Sequence, residues 1–147
     1  MDLERIAAGT RVFIDATVFV YHFTGLSVSC RRLLERVENN EVEGLTSVTA
    51  LAEATHRLLM VEAVRSGLVA PGSVASKLRA KPEILKGLRI ANAQIARVPL
   101  MGVGMAAVDV RTLSHAREIR EKSGLMVNDS LIAAAALDSG VTAIATA

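Results

Sequence analysis

The chain has 147 residues, of which 51% are hydrophobic and 3% aromatic, and its mean hydropathy is +0.38. These values exclude a disordered protein, and the length suits a single domain over residues 1–147 with an aliphatic core. The formal net charge of +2 allows an anionic partner without requiring one. The lone Cys30 excludes an internal disulfide and indicates a reducing, cytoplasmic location. The longest apolar run, 131–137, is too short for a membrane span.

Short apolar runs alternate with amphipathic segments along the chain. The pattern predicts strands over 10–14, 43–48, 95–98 and 141–146, with Pro99 ending the third. It predicts helices over 27–40, 49–66, 74–80, 82–92, 106–122 and 128–139, of which the last is apolar nearly all round and should be buried. Strands that alternate with helices imply right-handed crossovers and a parallel sheet covered on both faces. The expected fold is therefore α/β, a three-layer α/β/α sandwich.

Three acids stand in apolar surroundings, each near a predicted element end. Asp15 ends the first strand, Glu53 lies in the first turns of the helix after the second, and Asp129 starts the Ala-rich helix. Because the ligand crevice of such a sheet lies at the carboxyl ends of its strands, all three can reach one site. Grouped carboxylates raise one another's pKa, and a divalent cation relieves their repulsion. A ligand set made only of oxygen favours Mg²⁺ or Mn²⁺ over zinc.

Each acid also has an ordinary structural explanation. Asp15 can cap the helix that follows it, and Glu53 can form a surface ion pair with Arg57 one turn later. Asp129 can be a first-turn acid favoured by the helix dipole, on a helix capped by Asn128. The three acids in their order favour the metal site more strongly than any one of them does alone.

These residues resemble the motifs of PIN domains, and most closely those of the small VapC-like toxin ribonucleases. Residues 13–18, Phe-Ile-Asp-Ala-Thr-Val, are similar to the family's strand-Asp-x-Asn/Ser/Thr motif. Residues 46–53, Thr-Ser-Val-Thr-Ala-Leu-Ala-Glu, are similar to its second motif, and residues 128–134, Asn-Asp-Ser-Leu-Ile-Ala-Ala, to its third. The ordered set extends from about Arg11 to Thr146.

The resemblance implies a metal-dependent endoribonuclease that cleaves single-stranded RNA and serves as the toxin of a toxin–antitoxin pair. Asp15, Glu53 and Asp129 would then be catalytic metal ligands for Mg²⁺ or Mn²⁺, and Thr17 would form hydrogen bonds within the acidic group. Asn128 and Thr146 would be supporting residues. An antitoxin protein and a second copy of the chain are the partners that the resemblance implies, with no role for a membrane.

One position departs from the family pattern. The family usually has a further Asp just after the last strand, in a Thr-x-Asp context, and here that acid would fall one position beyond Ala147. Two alternatives follow: the sequence is a truncated form that lacks this acid, or the site works with three acids. A catalytically impaired PIN-like module that binds RNA or another partner is an alternative function. A PIN nuclease of RNA processing is a further alternative. A hydrolase with a nucleophilic aspartate is less well supported, because Thr17 stands where such enzymes carry a second Asp.

RNA would require a positive rim around an acidic cleft. The candidate basic residues are Arg57, Lys77, Arg79, Lys81, Lys86, Arg89 and Arg97. Their ordinary alternative is a solvated surface, and the scarce aromatic residues offer little base stacking. The stretch 61–78 holds more apolar residues than one helix face needs, which indicates either a partner groove or ordinary core.

Overall fold

The computed structural model describes residues 2–147 of the chain. Its sheet has four parallel strands, β1 (Arg11–Ile14), β2 (Glu43–Ser47), β3 (Gly104–Ala106) and β4 (Ile144–Ala145), in the order β3-β2-β1-β4. The helices in these residues are α1 (Ala16–Phe23), α2 (Val28–Glu38), α3 (Val48–Arg65), α4 (Val74–Ala80), α5 (Pro82–Gly87), α6 (Ile90–Arg97), α7 (Val110–Ser123) and α8 (Val127–Asp138). None of them combines the length and hydropathy that a membrane span requires.

Helices cover both faces of the sheet, which confirms the predicted three-layer sandwich. Successive side chains of a strand point to opposite faces. Val12 and Ile14 accordingly pack into the larger core, with α1, α2, α3 and α6, whereas Phe13 packs into a second core with Ile132 and the alanines of α8. Helix α7 covers α8 from outside, burying Ala116. The two central strands are thereby buried after their exposed first residues, and their carboxyl ends hold the first two motifs.

The predicted strand over 95–98 is wrong. Ile95 lies in helix α6, and Val98 begins a 3-10 turn, Val98–Met101, that contains Pro99. The third strand is instead β3, and the predicted helix over 82–92 is divided into α5 and α6 at Leu88. A short apolar run does not by itself distinguish a strand from a helix turn. The helix forms here because the Glu62 carboxylate accepts the backbone N–H groups of residues 89, 90 and 91, at 2.8–3.0 Å.

Other boundaries also differ from the prediction. Helix α1 was not predicted as an element, although its apolar sequence was noted beside Asp15. Asn128 does not cap α8: the N-cap residue is Met126, and Asn128 lies inside the first turn. Helix α7 begins at Val110 rather than 106, because Asp109 forms a capping box with Thr112. The last strand is confined to Ile144–Ala145, and α8 is buried on its alanine side but exposes Leu137.

Candidate active site

The first motif places Asp15 between the end of β1 and the start of α1. Its Oδ2 atom accepts a 2.7 Å hydrogen bond from Thr17 Oγ1 and a longer one, 3.3 Å, from Thr17 N, so the capping role is present. The residues on either side, Ile14 and Ala16, are fully buried, whereas Asp15 itself is half-buried. No hydrogen bond occupies Oδ1 within residues 2–147. One carboxylate oxygen is therefore held by the helix cap while the other stays available.

Strand β2 supports this position from its neighbouring place in the sheet. The buried Thr46 donates its hydroxyl to the carbonyl oxygen of Ile14, at 2.9 Å, directly before Asp15. Ser47 caps α3 by accepting from Ala50 N. The hydroxyl-rich segment before Glu53 thus fixes both the end of β1 and the start of the helix that carries Glu53. The position of Thr46 opposite β1 could not be read from the sequence.

The pKa of Glu53 is affected by the charges of the other two acids. Burial first, and then the charges of Asp15 and Asp129, raise the pKa of the Glu53 carboxyl group; Arg57 and His56 act in the opposite direction. The Arg57 Nη1 atom lies 4.0 Å from Glu53 Oε1, so the predicted ion pair is present at its outer limit. The structure therefore brings the three predicted acids into one electrostatic group, even though they lie far apart in sequence.

Asp129 is exposed in the first turn of α8, and a buried hydroxyl fixes that turn. Ser130 Oγ donates to the carbonyl oxygen of Val127 at 2.7 Å, and Arg120 Nη1 donates to the same hydroxyl at 2.9 Å. Arg120 comes from α7, so the α7–α8 hairpin orients the turn that carries Asp129. The prediction missed this role of Arg120, because only the packing of the two helices brings it to Ser130.

The predicted supporting residues divide into two groups. Thr17 joins the acids directly through Asp15, and its Oγ1 also accepts a 3.1 Å hydrogen bond from Ala147 N, which places the residue after Thr146 beside the site. The side chains of Asn128 and Thr146 are exposed and make no hydrogen bond to the three acids within residues 2–147. Of the supporting residues, Thr17 alone therefore has a side-chain contact with an acid in the described chain.

The three acids have the donor atoms of a divalent metal site, but their side chains are not arranged around one ion. Within residues 2–147, no three His, Cys, Asp or Glu side chains are arranged to hold an ion. Three carboxylates within electrostatic range, one with a raised pKa, nevertheless form an all-oxygen donor set of the kind that Mg²⁺ and Mn²⁺ take. A bound cation would remove the repulsion that raises the pKa of Glu53. In the kind of its donor atoms, this set of carboxylates fits such an ion.

An apolar groove begins one turn beyond Glu53 on the same helix. It has a volume of 520 Å³, and Arg57 and Arg65 are its charged residues. The apolar lining residues are Val20, Tyr21, Leu26, Met60, Val61, Val64 and Val74. Part of the stretch 61–78 therefore does line a groove, whereas Val69 and Leu78 belong to a small core with Leu88.

Comparisons with known proteins assign this fold to a family of nucleases. The family model described as the PIN domain matches residues 12–147, and the chain belongs to the PIN domain family. Proteins of this family are generally nucleases that use divalent metal ions. No curated protein sequence matches the chain.

A similar solved structure is that of VapBC2 from Rickettsia felis, bound to a DNA fragment from the promoter of the pair. It is 18% identical in sequence to this chain, with a TM-score of 0.53, and the match covers 92% of this chain and 87% of that one. At this level of identity the match shows a shared fold.

Proposed function

We propose that this protein is a Mg²⁺- or Mn²⁺-dependent endoribonuclease that cleaves single-stranded RNA. The observation that carries the proposal is the electrostatic group of Asp15, Glu53 and Asp129 at the strand ends of a PIN fold. Ionised carboxylates grouped in one place are costly to keep together unless a cation or a bound proton compensates for their repulsion. In a family of nucleases, the compensating group of choice is a divalent ion.

The three carboxylates would hold the ion through their oxygen atoms. When bound, such an ion supplies positive charge for phosphate oxygens and makes a water molecule more acidic. The chain's own contribution is orientation. Thr17 holds one oxygen of Asp15, Thr46 fixes the strand end before it, and the Arg120–Ser130 contact fixes the turn that carries Asp129. A carboxylate of this group would accept the proton that the attacking water loses.

The biological role proposed is that of a cytoplasmic toxin paired with an antitoxin and assembled as a homodimer. The similarity in fold to a VapBC structure supports the antitoxin partner. The groove beside α3 offers a place for it, because its apolar lining carries arginines and no acid. That surface suits an amphipathic helix with acidic residues along its edge. A PIN nuclease of RNA processing, or a PIN-like binding module, would use the same fold without this pair.

The test is cleavage of a labelled single-stranded RNA by the purified chain with Mn²⁺, beside an EDTA control and an Asp15→Asn variant. The proposal expects cleavage that needs both the metal and Asp15, with the variant folded and inactive. Cleavage by Asp15→Asn at the wild-type rate, in a nuclease-free preparation, would refute the assignment. RNA binding without turnover would favour the binding module instead.

A further inference from the structure

Arg57 is the basic side chain that joins the carboxylate group to the neighbouring groove. It follows Glu53 by four residues on α3, so both lie on one face of the helix. Its guanidinium group approaches Glu53 Oε1 to 4.0 Å, and the same side chain lines the groove with Tyr21 and Met60. A ligand that extends from the carboxylates into the groove would pass over Arg57.

The guanidinium group of Arg57 makes no hydrogen bond within residues 2–147. Of the other predicted rim residues, Lys77 donates to a backbone carbonyl oxygen and Lys86 donates to Glu83 at 2.8 Å. The side chains of Arg79, Lys81, Arg89 and Arg97 also make no hydrogen bond in the described residues, but none of them forms an ion pair with Asp15, Glu53 or Asp129 there, as Arg57 does. The side chain of Arg57 is only 37% exposed, so water solvates it incompletely. A planar guanidinium fork matches the oxygens of a phosphate group. The free donors of Arg57 therefore suit an anionic ligand.

We infer that Arg57 is a substrate-positioning residue, which binds the RNA phosphate next to the one cleaved, on the groove side of the carboxylates. This inference rests on the proposed ribonuclease function. An RNA strand that approaches three acids needs a nearby cation to offset the repulsion between its phosphates and the carboxylates. Among the predicted rim residues in the described chain, Arg57 is the one that forms an ion pair with an acid of the group, Glu53. The other predicted rim residues contribute at most a diffuse field.

The test compares RNA binding and cleavage by wild type, Arg57→Gln and Arg57→Lys. Binding is followed by fluorescence anisotropy of a labelled single-stranded RNA in EDTA, over a range of salt concentrations. Cleavage is followed separately with Mn²⁺ over a range of RNA concentrations. Arg117→Gln is the matched control, because Arg117 also forms an i,i+4 pair with a glutamate, at 3.8 Å, on exposed α7. Melting temperatures confirm that each variant is folded.

Loss of one phosphate contact should lower the slope of log affinity against log salt by about 0.7. Arg57→Gln should also raise the RNA concentration for half-maximal cleavage about tenfold, with a smaller change in the maximal rate. Arg57→Lys should recover most of the slope, and Arg117→Gln should behave as wild type. An unchanged slope in Arg57→Gln, with wild-type binding intact, would overturn the role of Arg57 and leave the ribonuclease standing. A wild-type chain that neither binds nor cleaves RNA would overturn both.

Discussion

Removing the hydroxyl group of Thr17 without changing the shape of the Thr17 side chain should show how much the orientation of Asp15 contributes, because the Asp15 carboxylate itself is retained. Thr17→Val deletes the 2.7 Å hydrogen bond from Oγ1 to Asp15 Oδ2 and the acceptor for Ala147 N. Hydrogen bonds to charged acceptors contribute more than neutral ones, but both side chains are half-buried and water can replace part of the loss. We therefore expect a stability cost of about 1 kcal/mol, which lowers the melting temperature by about 2–4 °C.

The functional cost should be larger than the cost in stability. Partners that orient metal ligands typically contribute about 10–100-fold in metal affinity or activity. We expect Thr17→Val to lose that much in Mn²⁺ affinity or cleavage rate, whereas Thr17→Ser, which keeps the hydroxyl group, should stay close to wild type. Both quantities can be measured by Mn²⁺ titration and single-turnover RNA cleavage.

Thr55→Val provides the matched control for this experiment. Its Oγ1 atom donates only to the backbone carbonyl oxygen of Leu51, within α3, so loss of this hydroxyl group should leave the metal site unchanged. Wild-type Mn²⁺ affinity and cleavage rate in Thr17→Val would refute the reasoning that the hydroxyl group orients Asp15. Equal losses in Thr17→Val and Thr55→Val would show that the effect is a general response to the substitution.

Two further predictions concern packing and charge. In Gly44→Ala, the new Cβ would lie 2.7–2.9 Å from the buried side chains of Ile14 and Val37. The overpacking should lower the free energy of unfolding, measured with denaturant, by about 1–3 kcal/mol. Gly87→Ala is the control and should lower it much less, because the space around Gly87 is open. The pKa of Glu53 is raised in the folded protein by burial and by the other two acids, so the native state binds this proton more tightly than the unfolded chain. Stability of the metal-free protein should therefore fall as pH rises from the ordinary carboxyl pKa to the raised one. Glu53→Gln should abolish that fall, and its melting temperature at pH 7 in EDTA should be above that of wild type. Mn²⁺ should not raise the melting temperature of this variant. A melting temperature below that of wild type in EDTA would contradict the direction of the pKa shift.

Much of the local structure around the three predicted acids could be predicted because it depends on local sequence. An apolar strand that ends in an acid, a hydroxyl-rich strand end before Glu53, and an Ala-rich helix after Asp129 each have a recognisable pattern. The parallel sheet then brings strand ends to one edge, whatever the loops between them do. That topology lets the three acids approach one crevice, and the charges of Asp15 and Asp129 act on Glu53 there.

The features that the sequence did not predict depend on contacts between distant residues. Helix α6 begins without a capping side chain of its own, and the two carboxylate oxygens of Glu62 accept three hydrogen bonds from backbone N–H groups 27–29 residues away. No local pattern around Ile95 reveals that contact, so its apolar residues were interpreted as a strand. Arg120 and Ser130 are similarly joined only by the packing of α7 on α8. Pairings of this kind require the tertiary structure.

A Mn²⁺ titration of the metal-free protein, with free Mn²⁺ followed by electron paramagnetic resonance, tests directly for a metal site at the end of β1. Wild type should bind Mn²⁺, and Asp15→Asn should lose most of this binding while staying folded. Asp138→Asn, which removes an acid paired with His115 on the α7–α8 surface, should bind as wild type does. Equal binding by wild type and Asp15→Asn would contradict a metal site at the end of β1.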